Sequence, residues 1–427
     1  MTMKRVCALS LLALCTVAVP AISAQQPPQA TDLPSGPFVI KNTWIIGGTG
    51  PWDYLTMDPS AERLYIAHSH AVQVVDVTTG TVAGVISGLV DAHAVALDDT
   101  GEFGYVSDGR GGKVIVFDRR SLQTVATIED VPSPRALVFE PQTRLLFAIR
   151  VDLSPAPRAP DVPRTTTHIT PRPAPPPPAA PKPNSGPSIT IIDTQARKVV
   201  GQILVPEVLG FALTDGRGNI FVNADRNRIL KFDAQDVATL LPKPSDGNAT
   251  GSPSSPASAA VTRKPAPPFT IDWTGRDRPL RSFSLRGECT TPKSLAVDAS
   301  HLRLFEACNN LKLLVLNADN GNVVATLPIG SDVDAIGYDP NNGLIYSANG
   351  GADGSLTIIR QSVSDSYAVI QTLPTRQRAR TLAVNPETGQ VYLVTDLLGM
   401  DLSHPGNIGT LQTGPVNGSF QVLVVGH

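Results

Sequence analysis

Short apolar stretches recur along the whole chain, and hydrophobic and polar residues alternate within them. Gly, Asp, Asn and Pro bound each stretch. This pattern predicts short antiparallel strands joined by tight turns. Residues 63–86, RLYIAHSHAVQVVDVTTGTVAGVI, contain three such strands in succession. The same stretch carries His68 and His70, which raises the question whether they form a metal or catalytic pair.

A two-part motif occurs seven times. An apolar segment ends at an anchor residue, and the next apolar segment carries an aromatic residue. The anchors lie 40, 42, 74, 84, 41 and 46 residues apart. Four of these spacings match a four-stranded propeller blade, and the other two match a blade plus an insertion. We name the strands of a blade a to d in chain order, so that a ends at the anchor and b carries the aromatic residue. The anchors are Asp58, Asp98, Glu140, Thr214, Asp298, Asp339 and Asn385, and the aromatic residues are Tyr65, Tyr105, Phe147, Phe221, Phe305, Tyr346 and Tyr392.

The two ends of the chain complement each other. The seventh copy stops after three strands, with FQVLVVGH as strand c, whereas FVIKNTWIIGG (38–48) precedes the first copy. Pairing of the two segments would supply the missing strand d and remove an exposed sheet edge. The sequence therefore predicts an all-β fold over 38–427, a seven-bladed β-propeller of four-stranded blades closed by its N-terminal strand. An open β-solenoid with exposed caps is the alternative.

Two proline-rich segments interrupt the repeats. Residues 151–187 hold 13 prolines and residues 242–268 hold seven more. Segments of this composition lack backbone donors and bury little apolar surface, so they favour extended or disordered states. We interpret the first as an insert in blade three and the second as an insert in blade four. A proline-rich motif for a partner protein is the functional alternative.

The first 24 residues predict a secretory signal peptide. Lys4 and Arg5 precede an apolar run from Val6 to Val19, and the small residue Ala24 suits the cleavage site. The run is too short for a membrane span, although an uncleaved anchor is an alternative. No later segment predicts a transmembrane helix. We therefore expect a soluble, monomeric protein that is periplasmic or secreted.

Charge and cysteine content narrow the class of protein. Loss of the signal peptide changes the net charge from −2 to −4, and aromatic residues make up only 5% of the chain. Nucleic acid is therefore not an expected partner. Only Cys289 and Cys308 remain after cleavage, and both fall at the same end of blade five. Export makes a disulfide between them possible, but the sequence does not give their distance.

The repeat brings distant residues to one end of the central channel. Strand a begins and strand b ends on the same face, so the d–a and b–c loops surround the channel mouth, where ligands bind. The residue five positions before each anchor forms a first ring, which we call the rim. The residue three positions after each aromatic forms a second ring. The rim comprises Asp53, His93, Arg135, Leu209, Lys293, Asp334 and Arg380; the second ring comprises His68, Asp108, Arg150, Ala224, Cys308, Asn349 and Thr395.

Six of the seven rim residues are ionisable, which indicates a polar ligand site. Arg135, Lys293 and Arg380, with Arg150 of the second ring, are candidates for holding an anionic group. Asp53, Asp108 and Asp334 would balance their charge, and Asn349 adds a neutral polar group. The alternative is that blade entries are simply solvated and tolerate charge.

The histidines give only a weak indication of a metal site. His68 lies at the end of strand b and His70 belongs to the b–c turn, so the two are poor co-ligands for one metal. His68 and His93 come from adjacent blades and, with Asp53 or Asp108, could bind a metal; two surface histidines are the alternative. The sequence contains no haem-attachment, serine-hydrolase, zinc-protease or P-loop motif, so no cofactor is expected.

The repeats resemble the YVTN-type, YncE-like β-propeller family. The resemblance rests on GYVSDGRGGKVIVFDRRSLQTVATI in blade two and on PKSLAVDASHLRLFEACNNLKLLVLNADNGNVVATLPIG and ARTLAVNPETGQVYLVTD in blades five to seven. It covers about 38–427 outside the inserts, although the YVTN tetrad appears only loosely, as YVSD and YLVT. The resemblance implies an exported propeller, mostly without assigned chemistry; some relatives are DNA-binding, and similar propellers serve as lactonases or redox-enzyme subunits.

Together these observations favour an exported, non-catalytic propeller that binds a ligand or a partner protein at the channel mouth. The alternative is a lactonase-like hydrolase that uses the His, Asp and Arg residues of the mouth.

Overall fold

The alternating apolar stretches form β-strands in a computed structural model of the chain, which describes residues 36–151, 188–242, 268–275, 278–362, 365–400 and 413–427. Within these residues the strands form seven blades, so the prediction of an all-β, seven-bladed propeller is confirmed. The predicted signal peptide, 1–24, and nearly all of the two proline-rich inserts, 151–187 and 242–268, lie outside the described residues.

Strand β1 (Val39–Ile45) precedes the first blade. The next three blades follow in chain order. Blade one contains β2 to β5, which are Trp52–Asp58, Arg63–His68, Ala71–Asp76 and Thr81–Ile86. Blade two contains β6 to β9, which are Ala92–Leu97, Phe103–Asp108, Lys113–Asp118 and Thr124–Ile128. Blade three contains β10 to β13, which are Pro134–Glu140, Leu145–Arg150, Ile189–Asp193 and Lys198–Leu204.

The remaining blades use strands from the second half of the chain. Blade four contains β14, β15, β16 and β18, which are Leu209–Thr214, Asn219–Ala224, Arg228–Asp233 and Arg281–Ser284. Helix α1 (Ala234–Leu240) and strand β17 (Phe269–Asp272) lie between β16 and β18 in the chain. Blade five contains β19 to β22, which are Pro292–Asp298, Arg303–Cys308, Lys312–Asn317 and Val323–Pro328. Blade six contains β23 to β26, which are Val333–Asp339, Leu344–Asn349, Ser355–Ser362 and Ser366–Pro374. Blade seven contains β27, β28 and β31, with the hairpin β29–β30 between the last two; in chain order these are Thr381–Asn385, Gln390–Thr395, Leu398–Met400, Thr413–Pro415 and Gln421–Gly426.

The innermost strands form a closed ring. Each strand a contacts the strand a of both neighbouring blades, and β27 of blade seven contacts β2 of blade one. Strand β1 pairs antiparallel with β31, from Val39 opposite Gly426 to Ile45 opposite Gln421. The first strand of the fold is therefore the outermost strand of the last blade. This pairing satisfies backbone groups that would otherwise form an open edge.

The repeated aromatic residue packs between blades. All seven copies on strand b are buried, and Tyr65, for example, lies 5.5 Å from the Phe117 ring of the next blade. Burial of these aromatic rings and of the apolar side chains around them, at every blade boundary, is the main stabilising contribution expected for the fold. The aromatic repeat thus marks the core.

The anchor residue at the end of strand a has a second structural role. Asp98 accepts hydrogen bonds from the backbone N–H of Gly101 (3.1 Å) and Phe103 (3.2 Å), and so fixes the a–b turn. The buried guanidinium of Arg119 lies between Asp58 and Asp98, with its Nε 3.1 Å from Asp58 and its Nη1 3.6 Å from Asp98. Because this ion pair joins blades one and two, the turn residues also hold neighbouring blades together.

Blade three departs from the predicted four strands. Strand β17 pairs in parallel with the outer strand β13 and makes it a five-stranded sheet. Trp273 follows β17 directly, and its buried ring lies 5.4 Å from Phe232 of blade four. Helix α1 was also not predicted; the Asp233 carboxylate accepts a hydrogen bond from the Gln235 N–H (2.7 Å) and caps its first turn. The residues that directly follow the second insert are therefore part of the packed fold.

Removing residues 38–45 tests the contribution of β1. The variant should unfold at much lower denaturant concentration, because several backbone hydrogen bonds of about 1 kcal/mol each are lost and the expected cost is on the order of 5 kcal/mol. Urea unfolding followed by far-UV circular dichroism measures this loss. Removing residues 25–34 instead leaves β1 intact and is the matched control. An unchanged midpoint in the first variant would show that the ring does not depend on β1.

Candidate ligand-binding site

The rim residues lie where strand a begins in each blade. Six belong to strands a, and Arg380 immediately precedes β27. The closed ring of these strands therefore places all seven positions around one end of the channel. The predicted convergence of the rim thus follows directly from the blade geometry.

An aromatic contact crosses the channel just below the rim. The ring of Tyr54, next to the rim residue Asp53, lies 5.1 Å from the ring of Phe211. Tyr54 belongs to blade one and Phe211 to blade four, so the contact crosses the channel. Both rings keep partial exposure. The two rings therefore lie across the channel, next to the charged rim.

The charges of the rim converge on the Tyr54 hydroxyl. Burial raises the pKa of Tyr54 well above its usual value, and the carboxylates of Asp53 and Asp334 raise it further. The guanidiniums of Arg135 and Arg380 act in the opposite direction. These four side chains come from blades one, three, six and seven, so they surround the phenol. A phenol with a raised pKa stays protonated and can donate a hydrogen bond.

Asp334 and Arg380 form an ion pair on one side of the mouth. The Arg380 Nε lies 3.3 Å from an Asp334 carboxylate oxygen. Burial nevertheless raises the pKa of Asp334; Arg380 and Lys293 lower it, and the like charge of Asp53 raises it. Lys293 and Asp53 are therefore close enough to act on the same carboxylate from either side.

His93 is held between two carboxylates and is only 5% exposed. Its Nδ1 lies 2.6 Å from Asp53, and its Nε2 lies 3.1 Å from Asp91 in a contact that is not aligned as a hydrogen bond. The backbone of Gly109 packs against the ring, since a Cβ there would lie 2.7 Å from His93 Cδ2. Both ring nitrogens thus face protein carboxylates, and neither is open to a metal or substrate.

Asp91 connects His93 to two cations. Its Oδ2 lies 3.2 Å from the Arg110 Nε and 3.8 Å from an Arg135 Nη2. The Arg135 contact is longer than a hydrogen bond. The Asp91 carboxylate therefore contacts three basic side chains, and it compensates the charge of Arg135 only weakly.

Two candidates of the second ring, Asp108 and Asn349, have buried side chains that bond to nearby groups of the protein. The buried Asp108 carboxylate accepts hydrogen bonds from the backbone N–H of Val90, Asp91 and Gly111 at 2.9–3.0 Å. Asn349 is also buried, and its amide donates to Ser355 (3.2 Å) and to Thr357. Their side chains hold the loops instead of facing a ligand, because a polar group at a buried strand end must bond to nearby backbone or side chains. Arg150 stays partly exposed at the end of β11.

His68 belongs to the junction of blades seven and one. Its Nδ1 lies 2.7 Å from Gln73 Oε1, its Nε2 lies 3.2 Å from the Gly50 carbonyl oxygen, and its ring lies 4.1 Å from Phe420. His70 contacts the Val90 carbonyl oxygen instead (2.7 Å). His68 and His93 thus have separate partners, and the described residues contain no group of three or more His, Cys, Asp or Glu side chains arranged for a metal.

Cys289 and Cys308 form a disulfide. The bond joins the d–a loop before blade five to the end of its strand b, as the sequence had suggested as one possibility. It ties the backbone on one side of Lys293 to the strand that follows, and so fixes this part of the mouth.

A buried glutamate lies directly below Lys293 and was not predicted. Glu306 Oε1 accepts hydrogen bonds from the Lys293 N–H (2.9 Å) and from Asn223 Nδ2 (3.2 Å), whereas Oε2 has no partner among the described residues. Burial raises the pKa of Glu306 well above its usual value of 4.5. The other blades carry Ile66, Val106, Ala148, Val222, Ser347 and Leu393 at this position.

Comparisons with solved structures agree on the fold. A chain from the crystal structure of the mitotic checkpoint complex is 15% identical with a TM-score of 0.57, and the match covers 91% of this chain and 95% of that one. U3-55K (8% identity, TM-score 0.58, 89% and 97% covered) and the WD40 repeats of RRP9 (9%, 0.58, 89% and 96%) are also similar. No protein-family model and no curated protein matches the chain. In the described part of the chain, no helix has the length and apolarity of a membrane span.

Replacing Glu306 with Gln should stabilise the protein increasingly as the pH rises above 4.5. The raised pKa of Glu306 means that its favourable neutral form is complete below pH 4.5 and is lost as the pH rises through the folded-state pKa. Gln keeps the shape and cannot ionise. Unfolding free energies of variant and wild type, measured across pH 4 to 9, should therefore diverge with increasing pH. The exposed Glu288→Gln is the control, and parallel curves for Glu306→Gln and wild type would refute the assignment.

Proposed function

We propose that this chain is an exported, non-catalytic β-propeller whose channel mouth binds a small ligand or a segment of a partner protein. The observation that carries the proposal is the Tyr54–Phe211 contact below the charged rim. The two rings lie across the channel, and we infer that they form the floor of a concave site. A concave site with an aromatic floor and a few converging polar groups is the usual form of a ligand site.

The arrangement of the rim favours binding over hydrolysis. The histidines available to a lactonase-like enzyme at the mouth are His68 and His93. Both nitrogens of His93 face Asp53 and Asp91, and those of His68 contact Gln73 and the Gly50 carbonyl oxygen. A general base needs a nitrogen within reach of the proton that it abstracts. The solved structures with the same fold include a chain of the mitotic checkpoint complex, an assembly of proteins. This supports a binding role as an analogy of fold.

The YVTN-type assignment and the export of the chain belong to the same proposal. The YVSD tetrad of blade two and the YLVT tetrad of blade seven support the family assignment. The Cys289–Cys308 disulfide supports export, because disulfides persist in oxidising compartments. Lys4, Arg5 and the apolar run after them provide the signal.

A ligand panel tests binding at the mouth. Small acids, amines, sugars and short peptides are screened by thermal denaturation against the wild type and the triple variant Arg135→Gln, Lys293→Gln, Arg380→Gln. At least one class should stabilise the wild type, and its affinity should fall at least tenfold in the variant, about 1.4 kcal/mol, because the rim loses three cations.

A second triple variant controls for the change in net charge. Lys41→Gln, Arg120→Gln and Lys198→Gln removes three exposed cations outside the mouth and should bind like the wild type. Equal binding by both triple variants would place the ligand elsewhere and refute the proposal. Turnover of a lactone or ester that is lost in His93→Ala would favour the hydrolase instead.

Export is tested by the N-terminus of the mature chain. Expressed with its own leader in a bacterium that has a periplasm, the protein should be recovered from the periplasm beginning at Gln25, since cleavage after Ala24 is expected. Intact-mass measurement identifies the first residue. The Ala24→Arg variant should retain the leader, whereas uncleaved wild-type protein in the cytoplasm would contradict export.

A further inference from the structure

The charges of the mouth are unevenly distributed around the ring. In blades six, seven, one and two, Asp334 pairs with Arg380, and Asp53 pairs with His93. These four side chains satisfy one another. The opposite arc, across blades three to five, carries Arg135 and Lys293 on either side of blade four. It lacks a carboxylate of its own in the rim, because blade four contributes the buried Leu209.

The two cations of this arc are poorly compensated. The Lys293 ammonium makes no hydrogen bond or ion pair with any described residue, although its charge acts on Asp334. The nearest carboxylate to Arg135 is that of Asp91 at 3.8 Å, which already contacts His93 and Arg110 more closely. Two partly exposed cations next to a pocket are a ready site for an anion.

The floor beneath this arc is apolar with one hydrogen-bond donor. Phe211 and Tyr54 are both partly exposed, and the Tyr54 hydroxyl makes no hydrogen bond with any described residue. A protonated phenol can donate to an anion that Arg135 and Lys293 hold. The rings can cover an apolar group attached to that anion.

The acidic residues limit the charge of the ligand. Asp53, Asp91 and Asp334 all lie in or next to the rim, and the charges of Asp53 and Asp334 raise the pKa of Tyr54. A dianion such as phosphate would meet three carboxylates with only two incompletely paired cations to hold it. A monoanion therefore fits the charge balance better.

We propose that the mouth binds a monocarboxylate on an apolar stem, with the carboxylate between Arg135 and Lys293 and the stem on Phe211 and Tyr54. The inference rests on the proposed function and names its ligand class. The carboxylate belongs either to a small organic acid or to the C-terminus of a peptide, since both present the same group.

Calorimetric titration of the mature protein with defined probes tests this. The acids are 3-phenylpropionate and acetyl-Ala-Ala-Phe with a free C-terminus; their amides and inorganic phosphate are the comparisons. Each acid should bind at least tenfold more tightly than its amide and than phosphate. A tripeptide acid that binds at least tenfold more tightly than 3-phenylpropionate identifies a peptide terminus, and similar affinities identify a small acid.

Single variants locate the carboxylate. Lys293→Gln and Arg135→Gln should each weaken the acids at least tenfold, and Tyr54→Phe should weaken them about threefold or more because it removes only the donor. Lys312→Gln on blade five and Arg226→Gln on blade four remove mouth-side cations outside the rim and should leave binding unchanged. Circular dichroism melts verify that each variant is folded.

Three results would overturn the inference: amides that bind as tightly as acids, phosphate that binds more tightly than either acid, or no binding of either acid. The proposed function would survive any of them if a neutral or cationic member of the ligand panel bound the wild type and lost affinity in the rim triple variant. The inference and the proposed function would both be refuted if no ligand lost affinity in the rim triple variant.

Discussion

The antiparallel pairing of β1 with β31 is the interaction on which the rest of the structure depends. Each strand a contacts the strand a of its two neighbouring blades, and the ring has one place where the chain does not continue from one blade to the next. At that place β1 supplies the outer strand of blade seven, and the junction is packed by Trp52, Phe420 and His68. Once the ring is closed, the start of every strand a is fixed around one axis. The mouth therefore exists because the ends of the chain meet.

The fold was predictable because its repeat carries two independent signals. The aromatic residue and the anchor recur with blade spacing, and the structure buries all seven aromatic residues. The parallel strand β17 was not predictable, because its four residues follow a proline-rich stretch and pair with β13, a strand about 70 positions earlier. Nothing local in the sequence marks such a partner. The same holds for the burial of Trp273 on Phe232, which is decided by tertiary packing.

The candidate site was predictable in part, and the difference between the two rings explains why. Rim residues start strand a, where the ring geometry forces convergence. Residues such as Asp108 and Asn349 end strand b, where the nearest groups are the backbone N–H and side chains of the adjoining loops, and local hydrogen bonds take up the side chain. Tyr54 was missed although the sequence held a signal. At its position the other blades carry only small residues, Ala94, Ala136, Gly210, Ser294, Ala335 and Thr381.

Departures from the repeat mark the mouth more sharply than the repeat itself. A seven-fold scaffold made of equal blades would have a symmetric opening with no preferred direction for a ligand. Tyr54 replaces a small residue, Leu209 replaces a charged one, and Glu306 replaces an apolar or small one. The first contacts Phe211 across the channel, the second leaves blades three to five without a carboxylate at the rim positions, and the third accepts a hydrogen bond from the backbone N–H of Lys293. Tyr54 and Leu209 break the sevenfold symmetry, and burial of the Glu306 carboxyl costs desolvation free energy. All three residues lie at the mouth. A scaffold that needed only stability would have kept the small, charged and apolar residues of its other blades, so the exceptions support the proposal of a ligand site at the mouth.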